Sequence, residues 1–352
     1  MLDDVKAISA IDQSGMLDLL ERFPDNIRDT INFLENISLP SLFKIDNIII
    51  SGMGSSAISG DIIQSLLWDK LDIPIFVSRQ CDLPKWANKN SLILSLSYSG
   101  NTEETLRVFK LAHQRHCQII GISSGGKLLE YCQHRNTPHI SVPAGLPPRA
   151  GTAYILFSSL ISLEKVGLLR YDLKSEIDET ISIVENLISE NKKIIPEANN
   201  ISKQIAKKLL NTTPHIYGWG IYSPTAKRWR TQLNENSKVI AQYDEVPECT
   251  HNEIEGWAMN PEVTKTCSNV IIRDDKEESI YMSKKLNFLK ELYEAVSATV
   301  IEVNVKGKKR LAKMMYAMTI GDFVSCYLAI LRNIDPTPVK VIIQLKNELS
   351  KI

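Results

Sequence analysis

Neither sign of charge prevails in this chain: 41 Lys and Arg face 41 Asp and Glu over 352 residues, a formal net charge of zero. Long-range steering toward nucleic acid has no source in such a balance, so an anionic small molecule must be captured by local donors. Cysteine is sparse. Cys81, Cys117, Cys132, Cys249, Cys267 and Cys326 form no CxxC pair and no zinc-type spacing, and read as reduced and mostly buried, which fits a cytoplasmic protein. No uncharged apolar window approaches the roughly 18 residues of a membrane span; Ala153 to Leu163 is the best and is too short. The first residues, Met1-Leu-Asp-Asp-Val-Lys6, carry acids where a signal peptide has a basic region. Apolar content of 43% and charged content of 23% argue against disorder and coiled coil, and the length suits two domains.

What is present centres on Ser91 to Thr105. Ser91–Leu96 reads as a short buried strand, and Glu103–Gln114 has helical spacing, with Leu106, Phe109 and the Lys110 stem on one side. Between them lies Ser97-Tyr98-Ser99-Gly100-Asn101-Thr102. A strand that hands over to a helix through hydroxyls and a glycine makes an anion site. First-turn N–H groups lack intrahelical partners, the macrodipole is positive there, and the hydroxyls add donors. The same residues also fit an ordinary turn with Asn101 or Thr102 as N-cap. The Gly-Lys-Ser/Thr of a Walker loop is missing.

A lead of helical spacing occupies residues 1–45, with Pro24 between its two apolar groups, and is expected to pack over the first sheet. Asn47–Ser51 is a buried strand that runs into Gly52-Met53-Gly54-Ser55-Ser56 and a helix at 57–68. The third glycine of a dinucleotide fingerprint and the acid after the next strand are both absent, so a second hydroxyl loop is the better reading. Strands at 47–51, 73–78, 91–96 and 118–123 alternate with helices near 57–68, 103–115 and 126–133. That order specifies an α/β fold, a mostly parallel sheet flanked by helices, with ligands at the carboxyl ends of the strands. Val142 to Gly151 is a proline-stiffened loop holding Arg149 in place, although a surface arginine in a connector fits equally. A buried helix follows from Thr152 to Val166, then a polar helix pair over 172–198.

The second half, 201–352, repeats the first (46–170). Pro214 to Gly220 restates strand-then-GxG, Ser223-Pro224 opens a helix, and Ser268–Arg273 and Ala298–Val303 take the places of the later strands. The anion loop has become Arg273-Asp274-Asp275-Lys276-Glu277-Glu278-Ser279, whose acids would repel a phosphate. One phosphate per chain follows. The helix from Pro224 carries Asn234-Glu235-Asn236, where asparagines weaken the helix for no local reason. Thr250-His251-Asn252-Glu253 follows shortly. Each of Glu235 and His251, taken alone, also reads as a solvated or loop-structural residue.

In combination, Gly52-Met-Gly54-Ser-Ser56, Ser97–Thr102, Pro148-Arg149, Asn234-Glu235-Asn236, His251-Asn252-Glu253 and Leu345-Lys346 resemble the bifunctional phosphoglucose/phosphomannose isomerase family, built from two sugar-isomerase (SIS) domains. The likeness covers roughly residues 40–352, and Ser55 stands where the family usually has a glycine. The resemblance implies exchange of an aldose 6-phosphate with a ketose 6-phosphate by ring opening and proton transfer through a cis-enediol(ate). It implies Glu235 as base, Arg149 as stabiliser of the enediolate, and His251 with Lys346 for ring opening. Ser56, Ser97, Ser99 and Thr102 become phosphate ligands beside Gly54, and Thr337 a residue that accommodates both C2 epimers. It further implies a homodimer sharing its active site, a hexose 6-phosphate substrate, no metal, no cofactor, and no membrane or nucleic-acid partner. Two other readings are weaker. A non-catalytic SIS sensor would not need Glu235, Arg149, His251 and Lys346 together. An amidotransferase would need a glutaminase-type N-terminal cysteine. His113-x-x-His116 has helical spacing but no carboxylate to complete a metal site.

Overall fold

The computed structural model describes residues 1–349 and 351. Three helices open the chain, α1 (Val5–Ile11), α2 (Met16–Glu21) and α3 (Phe23–Glu35). Asp4 caps α1, accepting from the N–H groups of Lys6 and Ala7 at 3.0 Å each. Asp12 does the same for α2, from Met16 at 2.8 Å and Leu17 at 2.9 Å.

The first sheet arises from β1 (Asn47–Ser51), α4 (Gly54–Leu66), β2 (Ile75–Ser78), β3 (Ser91–Leu96), α5 (Glu103–Gln114), β4 (Gln118–Ser123), α6 (Gly126–His134) and β5 (His139–Ser141), followed by α7 (Thr152–Lys165) and α8 (Leu173–Asn191). Its strands are all parallel, in the order β2-β1-β3-β4-β5. Chain order reverses between β1 and β3, so the loops leaving these two strands are neighbours at a topological switch point, where such sheets take ligands. Both faces of β1 are covered, as a parallel sheet requires. Ile49 joins Ile93, Phe109 and Leu128 in one cluster, while Ile50 lies against Gly60 of α4.

The second sheet arises from α9 (Ile201–Leu209), β6 (Thr213–Trp219), α10 (Ser223–Gln232), β7 (Gln242–Val246), α11 (Glu253–Met259), α12 (Pro261–Thr264), β8 (Cys267–Arg273), α13 (Ile280–Val296) and β9 (Thr299–Asn304), with α14 (Arg310–Leu331) and α15 (Lys340–Leu349) closing the chain. The order β7-β6-β8-β9 is again wholly parallel. Its core clusters Tyr217, Val246, Trp257, Ile271, Leu289 and Tyr293. The internal repeat is therefore real at the level of topology.

Two compact units result, one of Arg22–Val184 with Gly307–Met314, the other of Met1–Glu21, Glu185–Lys306 and Met315–Ile352. The N-terminal lead does not lie as one arm over the first sheet. Pro24 starts a new helix at α3, which packs on α7, whereas α1 and α2 belong to the second unit. Residues 172–198 form one long helix and a single 3-10 turn (Glu197–Asn199), not a helix pair, because no breaker interrupts α8 before Pro196. The edge strands β5 and β7 went unforeseen; one has three residues and the other is the polar Gln-Tyr-Asp-Glu-Val, so neither carries an apolar run. α14 is long and apolar enough to cross a bilayer by composition, yet 94% of its apolar window is buried within the protein. It is a core helix, interrupted by the buried Lys313 and Asp322.

Candidate active site

In the first unit the hydroxyl loop is a closed turn. Gly100 N–H donates to the Ser97 carbonyl at 2.9 Å, and the hydroxyls of Ser97 and Thr102 lie 2.8 Å apart. Thr102 is the N-cap of α5, but its side chain turns to Ser97 and makes no capping bond to the helix. Ser97 is buried, whereas the exposed Ser99 accepts from Asn101 N–H at 3.3 Å. Gly100 has φ +69°, and a Cβ there would lie 1.7 Å from the Gly125 carbonyl oxygen, so only glycine lets the loop after β4 close on this one. That loop is pinned from its own side. Ser124 donates to the Tyr98 carbonyl through both N–H (2.8 Å) and hydroxyl (2.7 Å), and Lys127 N–H donates to Asn101 Oδ1 at 3.1 Å.

The turn after β1 meets the same place. A Cβ on Gly52 would stand 3.1 Å from the Leu96 carbonyl, so this turn lies against the end of β3 where Ser97 begins. Gly54 opens α4 and Ser56 is buried in its first turn, with Ser55 half-buried between them. Ser55 thus fits without displacing Ser56.

Arg149 is tied to the hydroxyl loop through Tyr98, a residue the sequence reading passed over. The Tyr98 hydroxyl donates to the Pro143 carbonyl at 2.8 Å and accepts from Leu146 N–H at 3.1 Å. Gly151 packs so closely on the ring that a Cβ would come within 2.4 Å of it. Burial pushes the Tyr98 phenol upward, against the opposing Leu146 bond, so it stays a neutral donor. The Arg149 carbonyl accepts from Thr152 Oγ1 at 2.9 Å, and the side chain is buried.

In the second unit α10 runs into a π-helical turn, Leu233–Ser237, which carries Asn234-Glu235-Asn236. Such wide turns recur at functional positions, and nothing in the helical spacing from Pro224 announces this one. α10 is fixed to α14 by three contacts: the buried bidentate pair of Arg228 and Asp322 (3.0 and 2.8 Å), Trp229 Nε1 donating to the Ala317 carbonyl at 2.8 Å, and Gly321 beneath the Trp229 ring. The two asparagines acquire a purpose here. Asn236 donates to Ser325 Oγ at 2.8 Å, and Asn234 Oδ1 accepts from Ala241 N–H at 3.0 Å. Glu235 is half-buried between them. Lys238 follows at φ +55° and sends its ammonium back to the Glu235 carbonyl at 2.6 Å and forward to the Pro336 carbonyl at 2.8 Å. The base candidate and the Asp335-Pro336-Thr337 segment therefore share an anchor. Asp335 Oδ1 accepts from Thr337 N–H at 3.0 Å, and its other oxygen accepts from Ser14 at 3.3 Å.

His251 ends a 3-10 turn and is exposed; Lys346, on α15, is exposed as well. Next to His251, Glu253 points inward. Its Oε1 accepts from the Tyr217 hydroxyl and from Trp257 Nε1, both at 3.0 Å, and lies 3.9 Å from His215 Nδ1. Burial raises the Glu253 carboxyl, with the two donors pulling it back, and burial lowers His215. Glu253 thus anchors the start of α11, and with it the turn that presents His251.

The duplicate of the anion loop is filled from within. Arg273 donates to both oxygens of Glu278, at 2.8 and 2.7 Å, and Asp274 N–H donates to the same carboxylate at 3.0 Å. A side chain of the protein takes the donors that an incoming anion would need. His113 Nδ1 meets Arg135 at 3.0 Å, and among the described residues no group of His, Cys, Asp and Glu is arranged to hold a metal.

Two parallel sheets of this order, the first followed by a hydroxyl-lined loop at the switch point, define a protein of the SIS type. Residues 198–349 match the bacterial phospho-glucose isomerase C-terminal SIS domain. The chain is 35% identical to the bifunctional phosphoglucose/phosphomannose isomerase of Caldicellulosiruptor bescii, over 96% of this chain and 99% of that one. It is 32% identical to the protein of the same name from Aquifex aeolicus, over 86% and 90%. It belongs to the bifunctional phosphoglucose/phosphomannose isomerase family and is an isomerase. The solved tagatose-6-phosphate ketose/aldose isomerase of Escherichia coli shares the fold, with a TM-score of 0.65 at 18% identity, over 93% of this chain and 96% of that one. The expected fold class and family are both borne out.

Proposed function

We propose that the protein interconverts glucose 6-phosphate and mannose 6-phosphate with fructose 6-phosphate. The observation that carries the reading is near full-length relatedness to enzymes named for those two aldose phosphates. Ring opening comes first, with His251 and Lys346 taking the proton from O1 and delivering one to O5. Glu235 then removes the proton from C2 of the open aldose, leaving a cis-enediolate; a proton passes from O2 to O1, and Glu235 returns its proton to C1, so that the carbonyl passes from C1 to C2. Arg149 holds the developing oxyanion by charge, without a metal. Ser56, Ser97, Ser99 and Thr102, with the backbone at Gly54, hold the phosphate, and Thr337 stands by the substituents at C2. A cytoplasmic homodimer with a shared active site completes the reading.

A coupled assay run in parallel on glucose 6-phosphate and mannose 6-phosphate tests it, with fructose 6-phosphate as product in both arms. Turnover of both sugars is expected; turnover of neither sinks the proposal. Glu235→Gln should lower kcat by about 10²–10⁴ while calorimetry still shows hexose phosphate binding. A variant that keeps its rate removes Glu235 as the base.

A further inference from the structure

The turn that carries Glu235 ends a helix, and helix ends leave carbonyls without partners. Here four of them, from Glu235 to Lys238, meet side-chain donors. Lys238 Nζ lies 2.6 Å from the Glu235 carbonyl and 3.2 Å from that of Asn236, while Arg332 takes the carbonyls of Ser237 and, at 2.9 Å, Lys238. Lys238 itself sits at φ +55° as the C-cap, a conformation that most side chains avoid and glycine favours. A lysine at such a position keeps its strain only if its side chain does something glycine could not.

What it does is reach across. The same ammonium lies 2.8 Å from the Pro336 carbonyl and 3.4 Å from that of Asp335. An ammonium has three protons for these four oxygens, so the Asp335 contact is the weak one. The other three tie the backbone of Glu235 to the segment whose Thr337 N–H is already held by Asp335. α15, bearing Lys346, begins only three residues after Thr337, at Lys340. One charge thus joins the turn of the base to the approach of the helix carrying the ring-opening lysine.

We infer that Lys238 is a positioning residue that sets Glu235 against the Asp335–Thr337 segment, so that it governs both the rate of proton transfer and the preference between C2 epimers. The inference rests on the proposed isomerase reading. A base misplaced by about 1 Å can cost about a hundredfold in rate, and the phosphate loop, which belongs to the other unit, should not feel the change.

Lys238→Asn is the test variant. Asparagine tolerates the left-handed backbone, so the turn is kept, but its amide is too short to span the four carbonyls. Lys238→Arg restores a long cation. For Lys238→Asn, kcat should fall about ten- to a hundredfold, KM should stay within about twofold, and the ratio of kcat/KM between mannose 6-phosphate and glucose 6-phosphate should shift several-fold. Lys238→Arg should recover most of the rate. A Lys238→Asn enzyme with unchanged kcat and unchanged epimer ratio overturns the inference. So does a loss of rate that only follows a fall in Tm and is not rescued by arginine. Wild-type protein is run alongside, and its inactivity on both sugars would count against the isomerase reading instead.

Discussion

Tyr98 shows how much one side chain in a binding loop can organise. Two of its neighbours in sequence, Ser97 and Thr102, bond to each other, but its own hydroxyl closes the proline loop that carries Arg149. Tyr98→Phe leaves the Leu146 N–H and the Pro143 carbonyl without this partner, at a cost of about 1–3 kcal/mol. Chemical denaturation should register that loss. Kinetics should show kcat reduced more than KM is raised, since Arg149 is displaced while Ser97 and Thr102 keep their own bond. Equal damage to KM and kcat would mean that the two loops are not separable in this way. The composition of the anion loop was legible in the sequence because serine, glycine and threonine each have a local task. The use of Tyr98 was not, because its partners lie some 45 residues further on and no spacing rule links them.

At the scale of elements, β5 does more than extend the sheet. Its His139 accepts no charge easily. Burial lowers its imidazole to about 4, and the ring lies 2.8 Å from Ser123 Oγ and 3.2 Å from Ser141 Oγ. The Ser123 hydroxyl gives its proton to the Gly125 carbonyl at 2.8 Å, so Nε2 of the imidazole carries the hydrogen in their contact. Gly125 is in turn the residue against which Gly100 closes. The unfolded chain binds a proton at His139 near pH 6.5, whereas the folded chain resists it down to about pH 4. Stability is therefore fully present above pH 6.5 and declines as pH falls toward 4, by about 3 kcal/mol for this group. Urea unfolding at pH 7 and pH 4.5 should show a larger drop for wild type than for His139→Gln, whose amide has no charge to acquire. Identical drops would exclude His139 as a source of the acid sensitivity. The central strands and their helices could be read from apolar runs. The edge strands β5 and β7 and the π-turn could not: the two strands carry no apolar run, and the turn depends on tertiary partners such as Ser325 for Asn236.

For the molecule as a whole, each half has its own parallel sheet and core. The least explained surface is α15. Val341, Ile343, Leu345 and Leu349 are all at least half exposed on it, beside the exposed Lys346. Covering that face against a second copy would remove apolar area from water, at about 25 cal/mol per Å². Sedimentation should give twice the 39.7 kDa chain mass, and Leu345→Asp should shift it toward one chain with loss of isomerase activity. A fully active single chain would contradict the homodimer. Duplication of the fold was visible in the repeated strand-then-GxG pattern and in the acids that replaced the hydroxyl loop. What the acids do there was not visible, because repulsion is all that composition predicts.

Glu278 turns out to be less a repellent than a tenant. By settling into the grip of Arg273 and the Asp274 amide, it supplies the second half with a permanent counter-ion. With Glu302 on its other side, the buried guanidinium is paired wholly from within the protein. Of the two loops that the repeat sets in corresponding places, one keeps its hydroxyls and the other is closed from the inside by its own glutamate.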